Sequence, residues 1–513
     1  MTEGALFHGA DWDFPTLQRI HDACEVLAET ELGLDVYSNQ IEVITAEQML
    51  DAYSSVGMPL FYKHWSFGKH FAHHETLYRK GLKGLAYEIV INSSPCISYL
   101  MEENTATMQT LVIAHAAFGH NHFFKNNYLF KQWTDAYGIL DYLDFAKRYV
   151  AQCEERHGRV AVEQTLDAAH ALMSHGVDRY PGKKKLDLRE EEERAKERRA
   201  SEESAFNDLW RTVPSGPRKT ASELSADRRR ALLGLPQENL LYFLEKSAPR
   251  LHSWQRELIR IVRHIAQYFY PQGQTKVMNE GAATYVHYRI MNRLHEQGRI
   301  TDGNFLEFLQ SHTNVVFQPE FDDPRFSGFN PYALGFAMMR DIERIVTDPD
   351  DEDREWFGDI AGTKDVMAAL RHIWANYRDE SFVVQFLSPR LIRQMRIFHL
   401  HDDPAETAGV RVSAIHDERG YQRVRRELSR QYDVGYIDPN IEIVDVDLAG
   451  DRRLILRHTV VNGALLQEDD AKLVLQHLAS LWTYDVMLQE VDATGAVLRE
   501  HVATPRKLAA VME

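Results

Sequence analysis

Met278-Asn279-Glu280-Gly281-Ala282-Ala283-Thr284-Tyr285-Val286-His287-Tyr288 sets a carboxylate and an imidazole inside sequence that otherwise reads as the core of a helix. Glu280, Ala283, Thr284 and His287 fall at i, i+3, i+4 and i+7, so one helix face carries Glu280 and His287 two turns apart with small residues between them. That spacing leaves room for an ion or a substrate atom. Burying either group without a partner is costly, so the pattern implies that the polar groups satisfy one another or bind a metal.

A second stretch repeats the signal. Ala114-His115-Ala116-Ala117-Phe118-Gly119-His120-Asn121-His122 is again apolar and helical in character. His115 and His120 are five apart, however, not four. On an ideal α-helix five residues turn about 500°, which leaves the two side chains roughly 140° apart. A π-bulge, or a helix end at Gly119, would bring them together.

Outward from these two stretches the chain reads as α+β, a mainly helical body with a short strand region and a small C-terminal α+β domain. Residues 16–56 carry helical periodicity through Leu17, Ile20, Cys24 and Leu27. Leu85–Ile91 reads as a strand that ends at Asn92-Ser93-Ser94-Pro95, and a long helical region runs from about Glu102 into the 130s. Residues 236–296 read as two helices split near Tyr270-Pro271-Gln272-Gly273. From Ser381 the pattern shifts to short strands at 382–386, 396–400, 441–448, 454–460 and 484–491, with helices at 418–431 and 468–482. Ala449-Gly450-Asp451 fits a hairpin turn. The expected segments are 1–182, a helical region with the histidine cluster; 183–217, a charged insert; 218–380, a second helical region; and 381–513, the α+β domain.

Composition bounds the function. The chain of 513 residues is 44% hydrophobic and carries a formal net charge of −17. That charge does not favour nucleic acid as a partner, because phosphate binding wants a clustered positive field. Protein partners remain the expected class. Cys24, Cys96 and Cys153 are too few for a disulfide framework and form no CxxC pair, which fits a reducing, cytoplasmic setting. The N-terminus lacks the pattern of a signal peptide, and no apolar run is long enough for a membrane span. No phosphate-binding glycine loop and no GxSxG serine motif occurs.

The blocks Trp65-Ser66-Phe67-Gly68-Lys69, Tyr87–Asn92, His115–Asn127, Gly176-Val177-Asp178-Arg179-Tyr180, Pro236–His287, His312-Thr313-Asn314-Val315-Val316 and Asn330-Pro331-Tyr332-Ala333-Leu334-Gly335 span most of the chain in order. In them the chain resembles the SpoVR (stage V sporulation protein R) family, whose name refers to spore cortex formation. The resemblance implies no settled activity. Asn279-Glu280-Gly281-Ala282-Ala283 is also similar to the helix that supplies the third ligand in gluzincin metallopeptidases. By that likeness His115, His120 and Glu280 hold zinc or another divalent metal, and Tyr87–Asn92 lines a zincin-like cleft; His287, on the same helix face as Glu280, lines the same cavity as a further candidate ligand. Ala116 stands where an HExxH motif has its glutamate, so a base would come from Glu88, Glu102 or Glu103. His312 and Tyr332 are candidates to polarise a carbonyl.

The other histidines carry less. His70 and His74 have i, i+4 spacing but no fixed partner carboxylate, with His73 beside them; His170 and His175 fit core or helix-end positions. Two functions stay open: a metal-dependent amide hydrolase, and a non-enzymatic regulatory or assembly protein whose buried His/Glu cluster is structural. The convergence of His and Glu in apolar helices favours the first, and the missing HExxH glutamate favours the second.

Overall fold

The computed structural model describes residues 4–54, 60–66, 69, 88–179, 233–321, 323–402, 410–413, 417–447, 450–461 and 463–505. His70, His73, His74 and the 183–217 insert lie outside the described residues. Two compact units are each built from two stretches of chain: Met1–Lys147 with Tyr270–Asp433, and Arg148–Phe269 with Val434–Glu513. This division differs from the four consecutive segments read along the sequence. Contacts close between stretches far apart in the chain, and residues 381–433 belong with the first unit rather than with the strands that follow.

The first unit contains a three-stranded sheet, β1 (Asn39–Ile44), β2 (Glu88–Ile91) and β3 (Cys96–Met101), in the order β1-β3-β2. β3 is buried at every residue, Ser98 included, and pairs parallel with β1 and antiparallel with β2. The strand β1 corrects the all-helical reading of 16–56. Helices do form at Phe14–Thr30 and Ala46–Ser54, but Ile41 and Val43 alternate with polar residues between them. Also in this unit is a hairpin of β4 (His399–Asp402) and β5 (Val410–Ser413).

Five α-helices and one π-helix build the core that matters here. α1 (Ala106–Ile113) starts at Thr105, whose hydroxyl accepts the Met108 N–H at 3.1 Å. It runs straight into a seven-residue π-helix, Ala114–His120. α2 (Lys276–Glu296), α3 (Asp302–Val315), α4 (Pro331–Thr347) and α5 (Asp379–Phe386) complete the group. The break expected near 270–273 falls at Thr275 instead, because the helix Ser253–Gln274 carries Pro271 within its last turn. Thr275 donates its hydroxyl to the Pro271 carbonyl at 2.7 Å and has no side-chain cap for α2. The cap comes from afar. The Asp379 carboxylate accepts the N–H groups of Val277 and Met278, each at 2.8 Å, which satisfies orphan donors and meets the positive end of α2. Residues 382–386, expected as a strand, lie in α5: Phe382, Val383 and Phe386 bury one helical face, and the Arg378 N–H bonds Ser381 Oγ at 3.1 Å.

α2 touches its neighbours at backbone distance. A Cβ on Gly119 would lie 2.6 Å from Ala283 Cα, and one on Gly281 would lie 2.6 Å from Gly335 Cα. The small residues of the Asn279–Ala283 stretch therefore serve packing. They let the π-helix and α4 close on α2 from two sides, which places Glu280 against the histidines.

The second unit carries a four-stranded sheet, β6 (Ile441–Val446), β7 (Leu454–Thr459), β8 (Val486–Val491) and β9 (Val497–Ala503), in that order. β6–β7 and β8–β9 are antiparallel; β7 and β8 are parallel and joined through the helix Glu468–Trp482. The Gly450 N–H bonds Asp447 in the expected β6–β7 turn, of which Ala449 lies outside the described residues. Cys24, Cys96 and Cys153 are buried and unbridged. No described helix is long and apolar enough to cross a membrane.

Candidate metal centre

The π-helix resolves the spacing problem in the sequence. Its hydrogen bonds run i→i+5, so residues five apart stack on one face. The rings of His115 and His120 meet at 4.5 Å between centroids, perpendicular to one another. Glu280 arrives from α2, and its Oε2 lies 3.6 Å from the Nε2 atoms of both histidines. Glu88 arrives from β2, with Oε1 3.8 Å from His115 Nε2. One ligand atom each of Glu88, His115 and His120 lies within 4.8 Å of the others. The side chains of Glu88 and Glu280 are each 17% exposed, while the histidines are buried.

Hydrogen bonds orient the rings. Asn279 Oδ1 can only accept, so His120, 2.9 Å away through Nδ1, carries its proton there and turns a bare Nε2 toward Glu280. His115 Nδ1 meets His287 Nδ1 at 3.0 Å, and His287 Nε2 meets His312 Nδ1 at 2.9 Å. His287 thus stands behind His115 with both nitrogens engaged by other histidines. It shares the cluster but does not face the point where His115, His120 and Glu280 converge, and Glu88 takes that place. His312 is a further imidazole back from the point of convergence. Tyr332 stacks on His115 at 6.2 Å, and its hydroxyl helps hold Glu280 ionised. Glu103 is not in the site: it is exposed, and its carboxylate accepts the Ala46 N–H at 3.3 Å. Glu102 is exposed as well. Both follow β3, on the turn that leads to α1, whereas Glu88 lies on β2 itself.

The two carboxylates are pushed in opposite directions. Burial raises the Glu88 pKa; the charge of His115 opposes this, and the like charge of Glu280 adds to it. Burial also works against the Glu280 carboxylate, but His120, His115 and Tyr332 outweigh it and hold its pKa below the usual range. Burial likewise opposes charge on His115, yet the nearby carboxylates of Glu280 and Glu88 raise its pKa. Burial dominates at His120 and His312, each brought down to about 4, and at His287, which stays neutral. Where the cluster converges, the buried atoms His115 Nε2 and Glu280 Oε2 have no partner within 3.5 Å among the described residues.

His122 belongs to the same stretch but points elsewhere. Its Nδ1 accepts the Asp35 N–H at 2.9 Å, and its ring meets Trp374 edge-on. Burial depresses its pKa to about 4. The unfolded chain takes up a proton near 6.5 and the folded one only near 4, so this residue's contribution is full above pH 6.5 and is lost as pH falls toward 4. The loss is roughly 3 kcal/mol. Urea unfolding at pH 7 and pH 4.5 should show a smaller fall in stability for His122→Gln than for wild type; parallel falls would contradict this assignment.

Residues 11–437 match the family described as SpoVR like protein, and residues 439–493 match the SpoVR-like C-terminal domain. The second match starts close to where the second unit resumes at Val434. The chain is 53% identical over 492 residues to the "Uncharacterized protein YcgB" of Escherichia coli (strain K12), covering 96% of this chain and 95% of that one. No solved structure matches. The gluzincin and zincin likenesses therefore find no support. The two histidines ride a π-helix, not an HExxH α-helix, and the candidate base sits on a strand.

Proposed function

The chain belongs to the SpoVR family, and we propose that it is a metal-dependent hydrolase of amide bonds, with His115, His120 and Glu280 as ligands and Glu88 as general base. The observation that carries this reading is the pair of orphaned atoms, His115 Nε2 and Glu280 Oε2, at a point where His120 Nε2 also converges. Two ligands each about 2.1 Å from a tetrahedral ion lie about 3.4 Å apart. The 3.6 Å separations of Glu280 Oε2 from both imidazoles are close to that edge. Two imidazoles and one carboxylate form a donor set suited to Zn²⁺ or another divalent ion, which would displace the proton that the neighbouring carboxylates favour on His115.

A bound ion there would acidify a water and polarise a carbonyl. The protein's own groups divide the remaining work. Glu280 stays anionic, as a ligand must. Glu88, with its pKa raised by burial, is the group suited to take a proton from water and return it to a leaving amine. Tyr332 and Asn279 orient Glu280 and His120. The structural alternative, a polar network in a partner-binding protein, draws on the His115–His287–His312 chain, which satisfies ring nitrogens internally; it leaves the two orphaned atoms unexplained.

Turnover tests the proposal. Zinc- or manganese-loaded protein should cleave a member of a panel of N-acyl amino acids, peptides and muropeptide-type amides. Chelation should abolish cleavage, and Glu88→Gln should reduce it by about 10²–10⁴-fold. Stoichiometric metal with no cleavage across the panel would defeat the hydrolase reading.

A further inference from the structure

Neither orphaned atom explains why two further histidines stand behind His115. His287 is 1% exposed and lies against the ring of Phe308, and His312 is enclosed by Tyr288, Phe308 and Phe336. Among the described residues His287 hydrogen-bonds only the two imidazoles it touches, His115 at 3.0 Å and His312 at 2.9 Å. A neutral imidazole has one donor and one acceptor, so the three rings form a chain that can point in only one direction at a time.

Two polarities exist. In the first, His115 donates from Nδ1, His287 accepts at Nδ1 and donates from Nε2, and His312 accepts at Nδ1. His115 Nε2 is then a lone pair. In the second, every bond reverses, and His115 carries its proton on Nε2. That proton would point between Glu88 and Glu280, whose nearest oxygens lie 3.8 and 3.6 Å from Nε2, and would occupy the position an ion needs. Only the first polarity presents a donor atom to an ion.

We propose that His287 and His312 are positioning residues, a directed imidazole chain that fixes the proton of His115 on Nδ1 and holds Nε2 toward the metal. The inference rests on the metal reading above, and it assigns His287 a role outside the ligand set. His287 must accept on one side and donate on the other, which a glutamine amide can also do and a leucine cannot. Outer partners that hold a ligating histidine typically contribute 10- to 100-fold to metal affinity.

The test pairs affinity with spectroscopy on the full chain. Zinc affinity by chelator competition should fall about 10- to 100-fold in His287→Leu and recover most of that in His287→Gln. A purely space-filling role would show the reverse, with leucine equal to or better than glutamine. In ¹⁵N-histidine-labelled, metal-free wild type, with His115→Gln used to assign the signal, His115 should show a protonated Nδ1. A bare Nδ1 there, or His287→Leu binding zinc as wild type does, overturns the chain. Wild type that takes up no metal yet shows the protonated Nδ1 would defeat the metal reading and support the polarity assigned here. The two failures are therefore separable.

Discussion

Glu280→Gln should lose metal at least about 100-fold in affinity, while Glu88→Gln should stay within about tenfold of wild type. The first change removes the anionic ligand and keeps the shape of the side chain, so the fold survives and the ion's hold does not. It also leaves His115 and His120 facing a neutral amide. The second change touches a carboxylate assigned to proton transfer, one that burial holds toward its neutral form. Its conversion to an amide removes a base but no ligand. Titration of each variant with Zn²⁺ against a chromogenic chelator measures both. Equal losses in the two variants would make Glu88 a fourth ligand. The site would then be closed, with four protein ligands and no position for water, and the hydrolase assignment would fall with it.

Gly335→Ala should destabilise the protein by about 1–3 kcal/mol or more. In an open helix the same change is favourable by up to about 1 kcal/mol. Here the new Cβ would collide with the Val277 carbonyl oxygen and lie 2.7 Å from Gly281 Cα. Both obstacles are backbone, so no side chain can turn aside to make room. The collision would push α4 off the first turns of α2, which carry Asn279 and Glu280. Gly273 is the control, a helical glycine where an added Cβ would meet nothing within 4 Å, so Gly273→Ala should be neutral or stabilising. Urea unfolding of both variants reads the difference, and a Gly335→Ala midpoint equal to wild type would refute the close-contact account.

The sequence carried much of the candidate site because burial is costly for polar groups. His115, His120 and Glu280 stood out as charges and imidazoles in apolar helices, and the structure brings them to one point. The five-residue spacing was legible only as a choice between a bulge and a helix end. The π-helix packs against α2 at backbone distance through Gly119, a tertiary contact that no local pattern names. Glu88 was one of three carboxylates near in sequence, and periodicity could not rank them. Glu88 reaches the cluster because β2 pairs antiparallel with β3 and faces His115. Glu103 sits past the end of β3 and bonds Ala46 instead.

Element type failed where short apolar runs were ambiguous. Phe382–Phe386 reads equally well as strand or helix over five residues, and the Arg378–Ser381 hydrogen bond with Asp379 at the helix start decides for helix. Asn39–Ile44 became a strand through its parallel pairing with β3, a partner that no local pattern names. The role of Asp379 was invisible for the same reason. Its carboxylate caps α2 across about a hundred residues of chain, and only the folded arrangement brings the two together.

The most direct measurement is the metal content of the purified full chain, stripped with a chelator, reloaded with Zn²⁺ and desalted, for wild type beside His115→Ala. The account predicts about one equivalent of zinc per wild-type chain, as a single three-ligand site requires, and far less in the variant with its circular dichroism unchanged. Wild type that retains no metal after incubation with Zn²⁺, Mn²⁺ or Fe²⁺ would contradict it.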